Sequence, residues 1–130
     1  TDALARLRDV MQETRAYGFE RVRQEQVELG AQVRALFESR GIRSVAADGF
    51  KAPGVVVSYT SDPDMQNSKK FLALGLQTAA GVPLMCDEPA GFSTFRVGLF
   101  GLEKLHNVAR SVGHLAAALD QMGVVEKSSI

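Results

Sequence analysis

The spacing of apolar residues predicts four helices. The first covers residues 1–15, where apolar positions recur three or four residues apart behind a cap at Thr1 or Asp2. The second is longer, with a stripe that starts at Phe19 and ends at Gly41. Glycine suits this terminating position because it readily adopts the left-handed backbone conformation.

Two further helices are predicted in the second half of the chain. One lies between a cap at Asp64 or Asn67 and a terminating Gly81. The other covers residues 102–122 with an apolar residue at every third or fourth position. Residues 124–130 follow it as a tail.

Strands are predicted between these helices. Residues 55–60 form a β-branched run bounded by Pro-Gly and Asp-Pro, and its continuous apolar character indicates burial on both faces. Three further strands are predicted: a weak one over residues 42–47 and two short ones over residues 82–85 and 93–99. Each helix stripe must be buried against something, so we expect one two-layer α/β domain over residues 1–130. Its small, partly antiparallel sheet has three or four strands and is covered by helices.

Composition and charge narrow the range of functions. Fifteen Lys and Arg balance fifteen Asp and Glu, which leaves no surplus of positive charge for nucleic acid or anionic lipid. The longest uncharged stretch, residues 71–86, is too short and too rich in glycine and proline to cross a bilayer. The only cysteine, Cys86, excludes an intrachain disulfide and indicates a reducing, cytoplasmic compartment.

Most polar residues on the helices are interpreted as surface residues. Two oppositely charged pairs lie four residues apart on the second helix: Arg21 with Glu25, and Arg34 with Glu38. His106 and His114 are eight residues apart on the last helix, about 12 Å along its axis, so they cannot share a metal ion. We read both as partly exposed helix histidines and predict no metal site.

A short acidic segment follows the predicted 82–85 strand. Cys86 stands at its start, and we interpret it as a buried structural thiol because no His or Lys is near it to activate a nucleophile. Asp87 and Glu88 are adjacent, and adjacent carboxylates seldom converge on one substrate atom. They are read as part of a solvated turn.

Arg96 is the strongest candidate for a binding residue. Strand alternation turns its side chain to the other face of the sheet from Phe95 and Val97, between two small side chains. A guanidinium with space on either side can bind a carboxylate through two parallel hydrogen bonds. A salt bridge to Asp87 or Glu88 is equally available, and from the residues alone this structural role is preferred.

The second half of the chain resembles a known family. Residues 77–84, 87–89 and 94–105 are similar to the C-terminal small domain of class V aminotransferases, above all the alanine–glyoxylate, serine–glyoxylate and serine–pyruvate group. The resemblance extends over the whole chain and is most specific at residues 95–101. It implies the aspartate-aminotransferase-like small-domain fold.

The resemblance also implies a function. Arg96 matches the family arginine that binds the substrate α-carboxylate, in an enzyme that moves an amino group between a small amino acid and a 2-oxo acid such as glyoxylate or pyruvate. Pyridoxal phosphate and its Schiff-base lysine belong to a large domain to which residues 1–16 would connect. Lys51 lacks the context of that lysine and is read as a surface residue. The chain alone is therefore expected to be inactive, and the parent enzyme to be a homodimer.

Two alternatives stay open at this stage. A cysteine desulfurase would use Cys86 as its nucleophile ahead of Arg96, although two acids beside a thiol disfavour the thiolate. A free-standing ferredoxin-like module could bind amino acids without any further domain. It would need a final strand, and residues 124–130 are short and polar for that role.

Overall fold

The computed structural model describes residues 1–126, in which six helices and three strands form a small α+β fold. In chain order they are helices α1 (Asp2–Tyr17) and α2 (Phe19–Ser39), strand β1 (Val55–Tyr59), helices α3 (Pro63–Gln66) and α4 (Lys69–Ala73), strands β2 (Ala79–Ala80) and β3 (Thr94–Gly98), and helices α5 (Leu102–Leu105) and α6 (Val108–Gln121). The sheet has the order β1-β3-β2, and both pairings are antiparallel. The predicted two-layer architecture is confirmed, with β3 as the central strand.

The core lies between one face of the sheet and the helices. Phe95 of β3 is completely buried, and its ring centroid lies 5.7 Å from that of Phe37 on α2 and 5.3 Å from that of Phe71 on α4. Val56 of β1 and Leu119 of α6 are also fully buried in this cluster. One strand residue thus joins the sheet to two separate helices.

The first two helices agree with the sequence pattern, and their burial differs sharply. Gly18 separates them with a φ of 109°, a backbone conformation that favours glycine. Helix α2 buries the stripe that includes Leu29 and Val33, whereas α1 has no buried residue. The apolar side chains of Leu4 and Met11 on α1 are largely exposed.

The predicted third helix is wrong in its bounds. It consists of α3 and α4, which are separated by the left-handed Ser68 (φ 71°), and α4 already ends at Ala73. Asp62 caps α3, because its Oδ1 accepts a hydrogen bond of 2.9 Å from the Asp64 N–H. Gly81, the predicted terminator, lies beyond strand β2 instead.

The last predicted helix is also divided. Helix α5 ends before His106, and Asn107 starts α6 by accepting a hydrogen bond of 3.0 Å from the Arg110 N–H. Val124 contradicts the prediction of a free tail, since it packs against the core and its carbonyl accepts a bond from Arg40. Residues 127–130 of that tail lie outside the described residues.

Three strand predictions are corrected. Residues 42–47 make only an isolated bridge to β1, between Ser44 and Ser58. Residues 82–85 are an exposed loop, and the strand of this region is β2, just before it. Strand β1 is buried on one face only, with Val56 inside and Val57 half-buried, because helices cover a single face of the sheet in residues 1–126.

Of the two charged pairs predicted on α2, only one forms an ion pair within residues 1–126. Arg21 and Glu25 form the expected exposed ion pair at 3.1 Å. Arg34, in contrast, is buried, and its Nη2 donates a hydrogen bond of 3.1 Å to the carbonyl of Val55. Burial lowers the pKa of Arg34. The predicted surface role of Arg34 is therefore wrong, because this side chain joins α2 to β1.

Two further classes of feature are absent from the described part of the chain. None of the helices in residues 1–126 combines the length and apolar character that a bilayer crossing requires. Over the same residues, no three His, Cys, Asp or Glu side chains form a cluster suited to a metal ion.

We predict that Phe95→Ala lowers the free energy of unfolding by about 3–5 kcal/mol, because it removes a fully buried ring from contact with two helices. Phe50→Ala is the matched control, since Phe50 is 83% exposed, and should change this free energy by less than about 0.5 kcal/mol. Urea denaturation followed by circular dichroism measures both. Equal effects of the two substitutions would contradict the assigned role of Phe95.

Candidate functional site

Arg96 lies at the middle of the central strand. Its main chain is in register with Val57 of β1 on one side and Ala79 of β2 on the other. Its neighbours Phe95 and Val97 point into the core, so alternation directs the Arg96 side chain to the opposite face of the sheet. The residue is half-buried there, on the face that strand alternation predicts for it.

The Arg96 guanidinium is held by a main-chain oxygen. Its Nε donates a hydrogen bond of 3.1 Å to the carbonyl of Ala80 on β2. It forms no ion pair within residues 1–126, so the predicted salt bridge to Asp87 or Glu88 is wrong. With Nε engaged, the two Nη groups form the edge that can donate two parallel hydrogen bonds to a carboxylate.

Strand β2 approaches β3 very closely just after Ala80. A Cβ atom built on Gly81 would lie 1.8 Å from the carbonyl oxygen of Thr94, so only glycine fits there without movement of the backbone. This contact brings Ala80 against the central strand and within reach of Arg96. Residue 81 is thus required for the packing of the strand that holds the guanidinium.

Glu88 does not lie in a simple solvated turn. Its carboxylate accepts hydrogen bonds from the backbone N–H groups of Cys86 at 2.9 Å, Met85 at 3.1 Å and Leu84 at 2.7 Å. These bonds, the one from Cys86 foremost, lower the pKa of Glu88 to about 2. The carboxylate braces its own loop, which explains why it does not pair with Arg96.

Cys86 is exposed, so the expectation of a buried thiol is wrong. The prediction failed because it placed Cys86 at the end of a strand, whereas the residue belongs to the exposed loop braced by Glu88. Its thiol makes no hydrogen bond within residues 1–126, and the nearby Glu88 carboxylate carries negative charge.

The described contacts of His106 and Lys51 do not involve Arg96. His106 and His114 are exposed, and the His106 ring centroid lies 5.8 Å from that of Tyr17. Lys51 pairs with Asp48 at 2.8 Å and with Glu38 at 3.6 Å. The hydrogen bond to Asp48 is the main reason that the pKa of Lys51 is raised.

An open groove of about 700 Å³ lies beside the start of β3. Its wall includes Gln66 from α3, Gly81, Glu88 and Thr94. Neither Gln66 nor Ala80 is identifiable as a site residue from the sequence. Ala80 acts through its main chain, and the sequence pattern only indicated that Gln66 lies near a helix.

The fold is shared with solved structures of glyoxylate aminotransferases. Alanine–glyoxylate aminotransferase from Nostoc sp. matches with a TM-score of 0.58 and 19% identity, over 75% of this chain and 25% of its own. Ureidoglycine–glyoxylate aminotransferase from Bacillus subtilis matches with a TM-score of 0.56 and 23% identity, over 94% of this chain and 30% of its own. This chain therefore spans no more than about a third of either protein.

Sequence comparisons add nothing to this structural likeness, since no family model and no curated protein matches the chain. Both structural relatives carry names that agree with the resemblance to class V aminotransferases. At these identities the likeness establishes the fold.

We predict that the loop around Glu88 loosens in acid. The pKa of this carboxyl is lowered from 4.5 to about 2 in the folded chain, so its ionised form stabilises the loop above about pH 4.5. That contribution decreases as the pH falls towards about 2. NMR hydrogen exchange should therefore show that the protection of the Cys86 amide declines over this range.

Glu88→Gln should abolish this pH dependence of protection, because the amide side chain does not ionise there. Asp87→Asn is the matched control, since the Asp87 side chain makes no hydrogen bond within residues 1–126. Protection that declines equally in Glu88→Gln and in the unmodified chain would contradict the assignment.

Proposed function

We propose that this chain is the carboxylate-binding domain of a pyridoxal-phosphate-dependent aminotransferase, which moves an amino group between a small amino acid and a 2-oxo acid such as glyoxylate or pyruvate. The observation that carries the proposal is the position and hydrogen bonding of Arg96. It lies on the central strand with Nε engaged by Ala80 and without an ion pair in residues 1–126. The shared fold with two glyoxylate aminotransferases supports the same role.

The role of Arg96 follows from its geometry. Two parallel hydrogen bonds from its Nη groups to a carboxylate hold both oxygens, which restrains rotation of the substrate about its long axis. Lysine offers a single point charge and no planar fork, so it would not impose this orientation. Such positioning lowers a reaction barrier without any bond being made by the arginine itself.

The described residues do not fit pyridoxal phosphate. Of the four lysines in residues 1–126, three are paired with a carboxylate, namely Lys51 with Asp48, Lys70 with Asp62 and Lys104 with Glu103, and the fourth, Lys69, is exposed. A Schiff-base lysine needs a neutral amine, and the raised pKa of Lys51 opposes this. Under the proposal the cofactor therefore belongs to a large domain connected through residues 1–16, and this chain alone is inactive. The homodimeric state and the cytoplasmic location stay predictions.

The alternative of a cysteine desulfurase has one observation in its favour, the exposure of Cys86 on the loop before β3. Its weakness is that the thiol has no basic partner within residues 1–126 to activate it as a nucleophile, since the hydrogen bonds of this loop join main-chain N–H groups to Glu88. Alkylation of Cys86 in the parent enzyme separates the two functions. A desulfurase would lose its activity, and a transaminase would not lose it through this chemistry.

The ferredoxin-like alternative fits the observed topology poorly. The sheet has three strands in the order β1-β3-β2, and within residues 1–126 no strand follows α6. Calorimetric titration of the chain with alanine, serine and glycine tests this function. Micromolar binding without a cofactor would favour an amino-acid sensor.

We predict that Arg96→Gln in the parent enzyme lowers kcat/KM for alanine by about 100-fold or more, since two charge-assisted hydrogen bonds are lost. Activity with ethylamine, which lacks the carboxylate, should change little. Arg43→Gln is the control for loss of a positive charge, because Arg43 is exposed and stacks on the ring of Tyr59. An unchanged preference for alanine over ethylamine in Arg96→Gln would refute the role.

We also predict that the isolated chain forms no stable adduct with pyridoxal phosphate. Addition of the cofactor followed by dialysis should leave no absorption band in the visible range, because the described lysines are exposed or paired. Intact mass after borohydride reduction provides a second readout. A single stoichiometric adduct at one lysine would show that this chain holds the cofactor itself.

A further inference from the structure

Gln66 connects helix α3 to residues 80–81, the segment that bonds to the Arg96 guanidinium. Its side-chain Nε2 donates a hydrogen bond of 2.9 Å to the carbonyl of Gly81, and its own carbonyl accepts one of 3.2 Å from the Gly81 N–H. Both main-chain polar groups of Gly81 are thus bound by one residue. Only the first of these bonds depends on the Gln66 side chain.

The position of Gln66 is fixed by the core. Its neighbour Met65 is 5% exposed and packs in the main hydrophobic cluster, which anchors the short helix α3. The start of α3 is held by the Asp62 cap, and Lys70 of α4 forms an ion pair with the same carboxylate. The Gln66 amide therefore extends from a rigid support and loses little conformational freedom on bonding to Gly81.

Gly81 directly follows Ala80, whose carbonyl accepts the hydrogen bond from Arg96 Nε. Strand β2 is only two residues long, so few ladder hydrogen bonds fix the orientation of that carbonyl. The Gly81 N–H lies in the same planar peptide unit as the Ala80 carbonyl, so its bond to the Gln66 main-chain carbonyl orients that unit directly. The bond from the Gln66 side chain to the Gly81 carbonyl holds the adjoining peptide unit and so keeps Gly81 in place. A continuous set of contacts thus links Met65 in the core to the Arg96 guanidinium.

We propose that Gln66 is a positioning residue for Arg96, an inference that rests on the proposed carboxylate-binding function of that arginine. Its side-chain amide holds Gly81, keeps the Ala80 carbonyl against Arg96 Nε, and so presents the two Nη groups to the substrate carboxylate. Without this amide the guanidinium can rotate about its terminal torsions, and carboxylate binding must then order it.

The test is NMR of the ¹⁵N-labelled 130-residue chain, with Gln66→Met as the variant that keeps size and removes the donor. The Arg96 Nε–H signal is assigned by its loss in Arg96→Lys. We expect its exchange with water to accelerate about fivefold in Gln66→Met, the effect of weakening one hydrogen bond. Gln32→Met is the matched control, because within residues 1–126 the Gln32 side chain bonds to Glu28 alone, and it should leave that signal unchanged.

Titration with sodium acetate distinguishes this inference from the proposed function. In the unmodified chain acetate should shift the Arg96 signal, and in Gln66→Met the affinity should be about fivefold lower. If acetate does not affect Arg96 in the unmodified chain, the carboxylate site itself fails. Exchange at Nε–H, measured without acetate, still decides whether Gln66 positions the arginine.

Unchanged Arg96 Nε–H exchange in a folded Gln66→Met chain would overturn the inference. If this variant does not fold, scalar couplings across hydrogen bonds in the unmodified chain replace it. Couplings from Gln66 Nε2 to the Gly81 carbonyl and from Arg96 Nε to the Ala80 carbonyl support the inference. The absence of either coupling contradicts it.

Discussion

The packing of Phe95 against Phe37 and Phe71 is the contact on which the rest of the structure depends. It joins the central strand to α2 and α4 at once, so it fixes which face of β3 is turned to the helices. A shift of register by one residue would place Arg96 in that apolar cluster, where an unpaired guanidinium is very costly. The aromatic contact therefore sets the direction of the Arg96 side chain.

Two acidic side chains, those of Asp62 and Glu88, hold backbone N–H groups of the segments before β3. Asp62 caps α3 and pairs with Lys70, and Glu88 accepts three N–H groups of its own loop. Each carboxylate has a lowered pKa, Asp62 through its bond to Lys70 and Glu88 through its backbone donors. Since these charges are satisfied locally, Arg96 keeps a free edge that suits a carboxylate from a ligand.

The elements that the sequence predicts well are those with a long periodic pattern. Helix α2 and the strand around Phe95 needed only their spacing, because burial of one face defines both. Strand β2 was missed because two alanines have no strand preference and are held only by pairing with β3. The buried position of Arg34 was missed for a similar reason, since its partner is a distant backbone carbonyl. The direction of the Arg96 side chain could be predicted from alternation, and its proposed role comes from the family resemblance, whereas the proposed contribution of Gln66 depends on contacts that no spacing reveals.

The exposed apolar stripe of α1 fits the proposal that this chain contacts a large cofactor-binding domain. Leu4 and Met11 are 69% and 61% exposed on a helix without any buried residue, and an isolated helix of this length is marginally stable in water. Gly18 and the bond of 2.6 Å from Tyr17 to Glu25 connect it to α2. Under the proposed function, a large domain connected through this helix would cover the apolar stripe. The same domain would bring the cofactor to the face of the sheet on which Arg96 lies, so one contact would stabilise the helix and complete the site.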